Sequence, residues 1–153
     1  MENKEVSEVF IFPLSLAQQR LWFMDQLEPG SAMYNIPLAF RMSGFLDMDA
    51  LRQTVEAIVS RHESLRTTFR MVDEQPMQCI AEQGSISLCV TDLTDLPETG
   101  HGTEVERLTS EEFGKPFDLV HGPLFRINLL RLGEKEHILL LVMHHIISDG
   151  WSI

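Results

Sequence analysis

The 153 residues predict an α+β domain, a mixed and mostly antiparallel sheet with helices packed on it. Three observations carry that prediction. Residues 124–132 and 137–145 are two long β-rich runs joined by Gly133-Glu134-Lys135-Glu136, a hairpin signature. Residues 16–27 and 48–65 carry apolar side chains at helical spacing behind residues suited to capping. Between them, shorter β-rich pieces are separated by polar turns rather than by further helices. With 44% hydrophobic and 23% charged residues the composition supports a packed core, and the length fits a single domain at ~100–200 residues per domain.

Taken in order, Pro13-Leu14-Ser15 precedes the first helix, with Ser15 as its N-cap and Pro29-Gly30 closing it. Leu16, Ala17, Leu21, Phe23, Met24 and Leu27 fall on one broad arc, and Arg20 falls inside it, so that arginine is expected to point into the protein. A strand over residues 36–43 follows. Asp47 or Asp49 then caps a second helix whose stripe is Met48, Leu51, Val55, Ile58, Val59 and Leu65, with His62 inside the stripe and expected in the core. Residues 68–72, 77–81 and 86–90 read as a three-stranded antiparallel meander. Residues 95–103 read as a loop with Pro97, Gly100 and Gly102, and residues 104–113 as a weak helix carried by Val105, Leu108 and Phe113 and stopped by Gly114 and Pro116. The run ending at His145 is apolar at nearly every position, which places it centrally with both faces covered.

Lys and Arg total 12 against 23 Asp and Glu, a net charge of −11. That is the wrong sign for holding phosphates by counterion release, so nucleic acid and anionic membrane are not expected partners. Cys79 and Cys89 have no CxxC or His-rich companion and read as two buried thiols in a reducing compartment. No basic segment with a long apolar stretch opens the chain, and the longest apolar run, residues 138–143, is far short of the ~20 residues needed to span a bilayer. A cytoplasmic location is expected.

The chemistry concentrates where the last strand leaves the core, at His144-His145-Ile146-Ile147-Ser148-Asp149-Gly150. Period-2 geometry sends the two histidines to opposite faces, so one can meet a cleft while the other needs a partner inside the protein. Polar side chains massed at such a point are costly unless used. Facing apart, adjacent histidines do not chelate one ion easily, and no metal is expected. Asp149 can fold back to hold an arginine or a backbone N–H, and Gly150 permits a tight turn.

These residues also carry a resemblance. Met143-His144-His145-Ile146-Ile147-Ser148-Asp149-Gly150-Trp151-Ser152 resembles the HHxxxDG core motif of condensation domains from non-ribosomal peptide synthetases, a motif shared with chloramphenicol acetyltransferase-like enzymes. Residues 15–22, SLAQQRLW, resemble the family's first motif, and residues 61–69, RHESLRTTF, its second. Phe117-Asp118-Leu119 with Gly122-Pro123-Leu124 is similar to the family's lead-in to the hairpin. Three motifs in order, from Ser15 to Ser152, are specific.

The resemblance implies a chloramphenicol acetyltransferase-like lobe over residues 9–153, the N-terminal lobe of a condensation domain truncated after the motif, with residues 1–8 as a short extension. It implies amide formation between a carrier-bound donor acyl thioester and an acceptor aminoacyl amine. His145 is the implied catalytic residue, as general base or as positioning group, with His144 bonding the backbone to fix the loop. Asp149 is implied as a buried carboxylate held by Arg66 or, failing that, Arg20, and Gly150 as the residue that keeps the cleft open. No cofactor is expected to bind directly, because substrates arrive on phosphopantetheine arms of carrier proteins. Those carriers, the second lobe and an adenylation domain are the implied partners. An epimerisation-type domain of the same fold, or a non-catalytic lobe that docks carrier proteins, are the alternatives.

Overall fold

A computed structural model describes residues 9–84 and 86–149. Its helices start where side chains satisfy the N–H groups that a first turn leaves unpaired. Ser15 Oγ accepts from the Gln18 N–H at 3.2 Å while Gln18 Oε1 accepts from the Ser15 N–H at 2.9 Å, a reciprocal box that opens α1 (Leu16–Leu27). Asp47, rather than Asp49, caps α2 (Met48–Arg61), one of its oxygens taking the N–H groups of Asp49 and Ala50 at 3.0 Å each. The third helix, α3 (Glu98–Gly114), starts well ahead of the expected Glu104 and absorbs all but the first three residues of the expected loop. Gly100 and Gly102 lie inside it with open space around them, and Pro97, with its φ of −59°, leads into it.

The strands form two sheets. In the smaller, β1 (Val9–Pro13) and β3 (Thr67–Val72) flank β4 (Gln75–Ala81), all antiparallel. The β3–β4 turn is Asp73–Glu74, both with positive φ (48° and 62°), the two-residue geometry whose twist matches its strands. The larger sheet runs β2 (Asn35–Ser43), β7 (Glu136–His144), β6 (Phe125–Arg131), β5 (Leu88–Asp92). The hairpin signal is realised as the antiparallel β6–β7 pair, and β7 is central. The expected three-stranded meander is corrected: only β3 and β4 pair, β1 is their third partner, and β5 joins β6 in parallel through the crossover helix α3. The chain leaves the small sheet by passing close to α2 at Gly84, where a Cβ would come within 2.9 Å of Val59 Cγ1 and Arg66 Cβ.

Helix α2 covers one face of the larger sheet and α3 the other. Val55 and Val59 join Phe125, Ile127, Phe69 and Trp22 in the main cluster, while Val105, Leu108 and Phe113 pack on Leu93, Leu130 and Leu140. Three expectations about burial are corrected. On α1 only Trp22 is buried; Leu16 is 78% and Phe23 60% exposed, and Arg20 is exposed rather than inward. The helix meets the core through Leu21 and Trp22, a stripe narrower than the apolar arc. His62 is exposed at the C-cap of α2 rather than packed in the core, because the helix ends there with its N–H on the Ile58 carbonyl. Cys79 is buried, but Cys89 is exposed on the edge strand β5; neither is in a disulfide.

Candidate functional site

The last ladder pair of the larger sheet joins Asn35 to His144, so the His144 ring leaves the sheet on the α3 side. It is 2% exposed, with the Phe117 ring perpendicular to it at 6.1 Å and the Tyr34 ring tilted at 6.2 Å. Its Nδ1 accepts the Ile146 N–H at 3.1 Å, which requires a lone pair there and puts the ring proton on Nε2. Burial lowers its pKa from 6.5 to about 4, and the neighbouring His145 pushes the same way. His144 is therefore a neutral ring that holds the turn.

His145 lies one step beyond the strand and is exposed. Its backbone N–H donates to the Tyr34 carbonyl at 2.8 Å, and its Nδ1 is 2.8 Å from the Ser148 carbonyl oxygen. A carbonyl only accepts, so Nδ1 carries a hydrogen, and in the neutral tautomer that this selects the lone pair is on Nε2. The turn between them is closed by Ile147 N–H on the His144 carbonyl at 3.1 Å and anchored by the buried Ile146 and Ile147. Chemically, this is an oriented imidazole with an available base nitrogen on a buried scaffold.

The other expected site residues fall differently. Asp149 is exposed, not buried, although Ile146, Ile147 and Ser148 just before it are buried. Gly150 lies outside the described residues. Arg20 stands exposed on α1. Arg66 is largely buried in a 3-10 turn (Glu63–Arg66), where its Nη1 donates to the Ala81 carbonyl and its Nη2 is 3.7 Å from Glu63 Oε1. Its Nε–H is buried and has no hydrogen-bond partner among the described residues. Among the described residues no three His, Cys, Asp or Glu side chains converge as a metal site, and no helix is long and apolar enough to cross a membrane.

Distant sequence motifs meet behind the histidines. Leu119 O accepts the Phe69 N–H at 2.7 Å, and Leu124 O accepts the His144 N–H at 3.0 Å, so the lead-in strap ties the second motif to the third. The strap turns at Gly122, whose φ of +60° and close approach to Thr68 (2.9 Å from a Cβ) disfavour a side chain. Asn35 and Arg126 were not legible as site residues. Asn35 Nδ2 donates to the Phe113 and Lys115 carbonyls, both at 2.9 Å. Arg126 donates to the carbonyls of Glu112 (3.1 Å), Lys115 (2.7 Å) and Pro116 (3.2 Å), pairs with the Glu112 carboxylate at 2.5 Å, and covers the Phe117 ring at 3.8 Å. Their one sequence signal, polarity on the sheet face that α3 covers, is shared by Asn128 and so does not single them out. A largely apolar cavity of about 630 Å³ between α2 and the sheet reaches Ile147, Ser148 and His62.

The comparisons agree on the family. The model of the family described as Condensation domain matches residues 10–153. The chain is 45% identical to chondramide synthase cmdD of Chondromyces crocatus over 94% of its own length and 4% of that protein's. It is 44% identical to cyclosporin synthetase simA of Tolypocladium inflatum over 92% of its length and 1% of that protein's. Among solved structures it is similar to the starter condensation domain of rhizomide synthetase RzmA, with a TM-score of 0.84 and 26% identity over 93% of this chain and 35% of that one. The chain thus spans a small part of its curated relatives and about a third of that domain. A histidine pair on the end of a central strand, strapped by the segment before the hairpin, and a family match across nearly the whole chain lead to one assignment: this chain belongs to the condensation domain family of non-ribosomal peptide synthetases.

Proposed function

We propose that the chain is the N-terminal lobe of a condensation domain, and that in the whole synthetase it forms an amide between a carrier-bound acyl thioester and a carrier-bound aminoacyl amine. The amine nitrogen attacks the thioester carbonyl, the C–N bond forms, the C–S bond breaks, and the carrier thiol leaves with a proton. In this reading His145 Nε2 accepts the proton that the nitrogen loses and hands it to the leaving thiolate. The observation that carries this role is the Ser148 carbonyl on Nδ1, which fixes the ring plane and, in the neutral ring, selects the tautomer whose lone pair is on Nε2. Phosphopantetheine arms bring the substrates, so carrier proteins, a second lobe and an adenylation domain are the partners.

General-base catalysis is worth ~10²–10⁴ in rate, and orientation alone reaches effective molarities of ~10⁵–10⁸ M. His145→Gln separates the two, because a glutamine carbonyl orients an N–H but takes no proton. With two loaded carriers and the intact synthetase module, proton acceptance predicts that His145→Gln makes amide as slowly as His145→Ala. Partial recovery by Gln assigns the residue to orientation. Binding of both carriers with no amide from the wild-type module contradicts the enzymatic reading and supports a docking lobe.

In the same reading Asp149 would secure the loop by an ion pair with Arg66, whose ion pair in this structure is with Glu63 and whose buried Nε–H has no hydrogen-bond partner among the described residues. Removing one member of a buried charge pair costs ~3–5 kcal/mol, and the exposure of Asp149 places this pair below that. Asp149→Asn and Arg66→Met, singly and together, should show non-additive losses in denaturation free energy; additive losses refute the pair.

A further inference from the structure

Asn35 and His144 are direct partners across the β2–β7 ladder, so both side chains leave the face that α3 covers. Arg126, opposite Val142 on β6, leaves that face too. The end of α3 carries no basic residue of its own to meet its unpaired carbonyls. Asn35 and Arg126 supply the donors instead: the carbonyls of Glu112, Phe113, Lys115 and Pro116 accept from them, and both share Lys115. The next residue, Phe117, emerges beneath the Arg126 guanidinium and packs perpendicular to the His144 ring. On the other side Tyr34, which precedes Asn35, presents its ring to His144 and its carbonyl to the His145 N–H. One polar clamp therefore sets both walls around His144 and the backbone of His145.

We propose that Asn35 and Arg126 are positioning residues for His145, acting through the end of α3, Phe117 and Tyr34 to hold the histidine turn in register. The inference rests on the role proposed for His145. Neither residue is placed against substrate, and the clamp's cost supports this reading: Asn35 Oδ1 is buried with no partner among the described residues, so the amide is retained for its two N–H donors. The guanidinium serves three carbonyls and a carboxylate at once, which a lysine ammonium cannot do in one plane.

The test pairs Asn35→Leu, which removes both donors at similar volume, with Arg126→Lys, which keeps the charge. Two readouts are needed. In the 15N-histidine spectrum of the folded chain, wild-type His145 is expected in the single Nδ1–H form, and each variant is expected to mix the two tautomers. In the intact module, kcat is expected to fall about tenfold or more with KM for both loaded carriers within twofold, the signature of lost alignment. Folded variants that keep the Nδ1–H form and wild-type kcat overturn the proposal. If Asn35→Leu does not fold, Arg126→Lys decides by the same readouts. Wild-type turnover from His145→Ala would instead overturn the role of His145 and leave the histidine spectrum to judge the clamp.

Discussion

His144 and His145 are neighbours in the chain with different chemistry, and the hydrogen bond on each Nδ1 accounts for the difference. A backbone N–H at His144 leaves a neutral ring with its proton on Nε2; a carbonyl at His145 leaves Nε2 with the lone pair. His144 also predicts a pH dependence. Its folded pKa of about 4 lies below the unfolded value of 6.5, so between those pH values the unfolded chain binds a proton that the folded chain refuses. Stability should fall as pH drops through that window. The slope in denaturant midpoint between pH 6.5 and 4 is expected to flatten in His144→Gln, which keeps an acceptor for Ile146 and cannot titrate; an unchanged slope contradicts the account. That two histidines at a strand end would be used was legible from their cost. Which arginine met which partner was not, because a side chain as long as Arg66 or Arg126 reaches groups far away in sequence.

Among the elements, β7 was the most legible, since a nearly unbroken apolar run has one stable place, between two strands and beneath helices on both faces. β1 and β5 were less so. Val9–Pro13 and Leu88–Asp92 are each five residues long, and a strand so short takes its partner from the packing of the whole, so β1 went to β4 and β5 to β6. For α3 the local signal and the outcome conflict: Gly100 and Gly102 argue for a loop, yet packing of Val105 and Leu108 carries the helix back to Glu98. Neither glycine has a positive φ or a neighbour within 4 Å of a Cβ. Gly100→Ala and Gly102→Ala should therefore each raise the unfolding free energy by ~0.5–1 kcal/mol in chemical denaturation, and a loss of stability would contradict a helix there. Glu74→Gly tests the β3–β4 turn in the same way: at a φ of 62° glycine relieves strain, and a modest gain is expected.

At the scale of the whole molecule, three sequence segments far apart in the chain converge on one turn. The first motif contributes Trp22 to the core cluster that holds Ile146 and Ile147, the second hands the Phe69 N–H to the strap, and the strap hands a carbonyl to His144. The order of the motifs was legible in the sequence, and their meeting point was not, because it depends on a strap held by single backbone hydrogen bonds at Leu119 and Leu124. In the function proposed above, this assembly exists to present His145. The most direct measurement is single-turnover amide formation between two loaded carriers by the intact module carrying His145→Ala. A fall of ~10² or more against wild type with carrier binding retained is expected; turnover within about twofold of wild type, less than any general base contributes, would refute that role for His145.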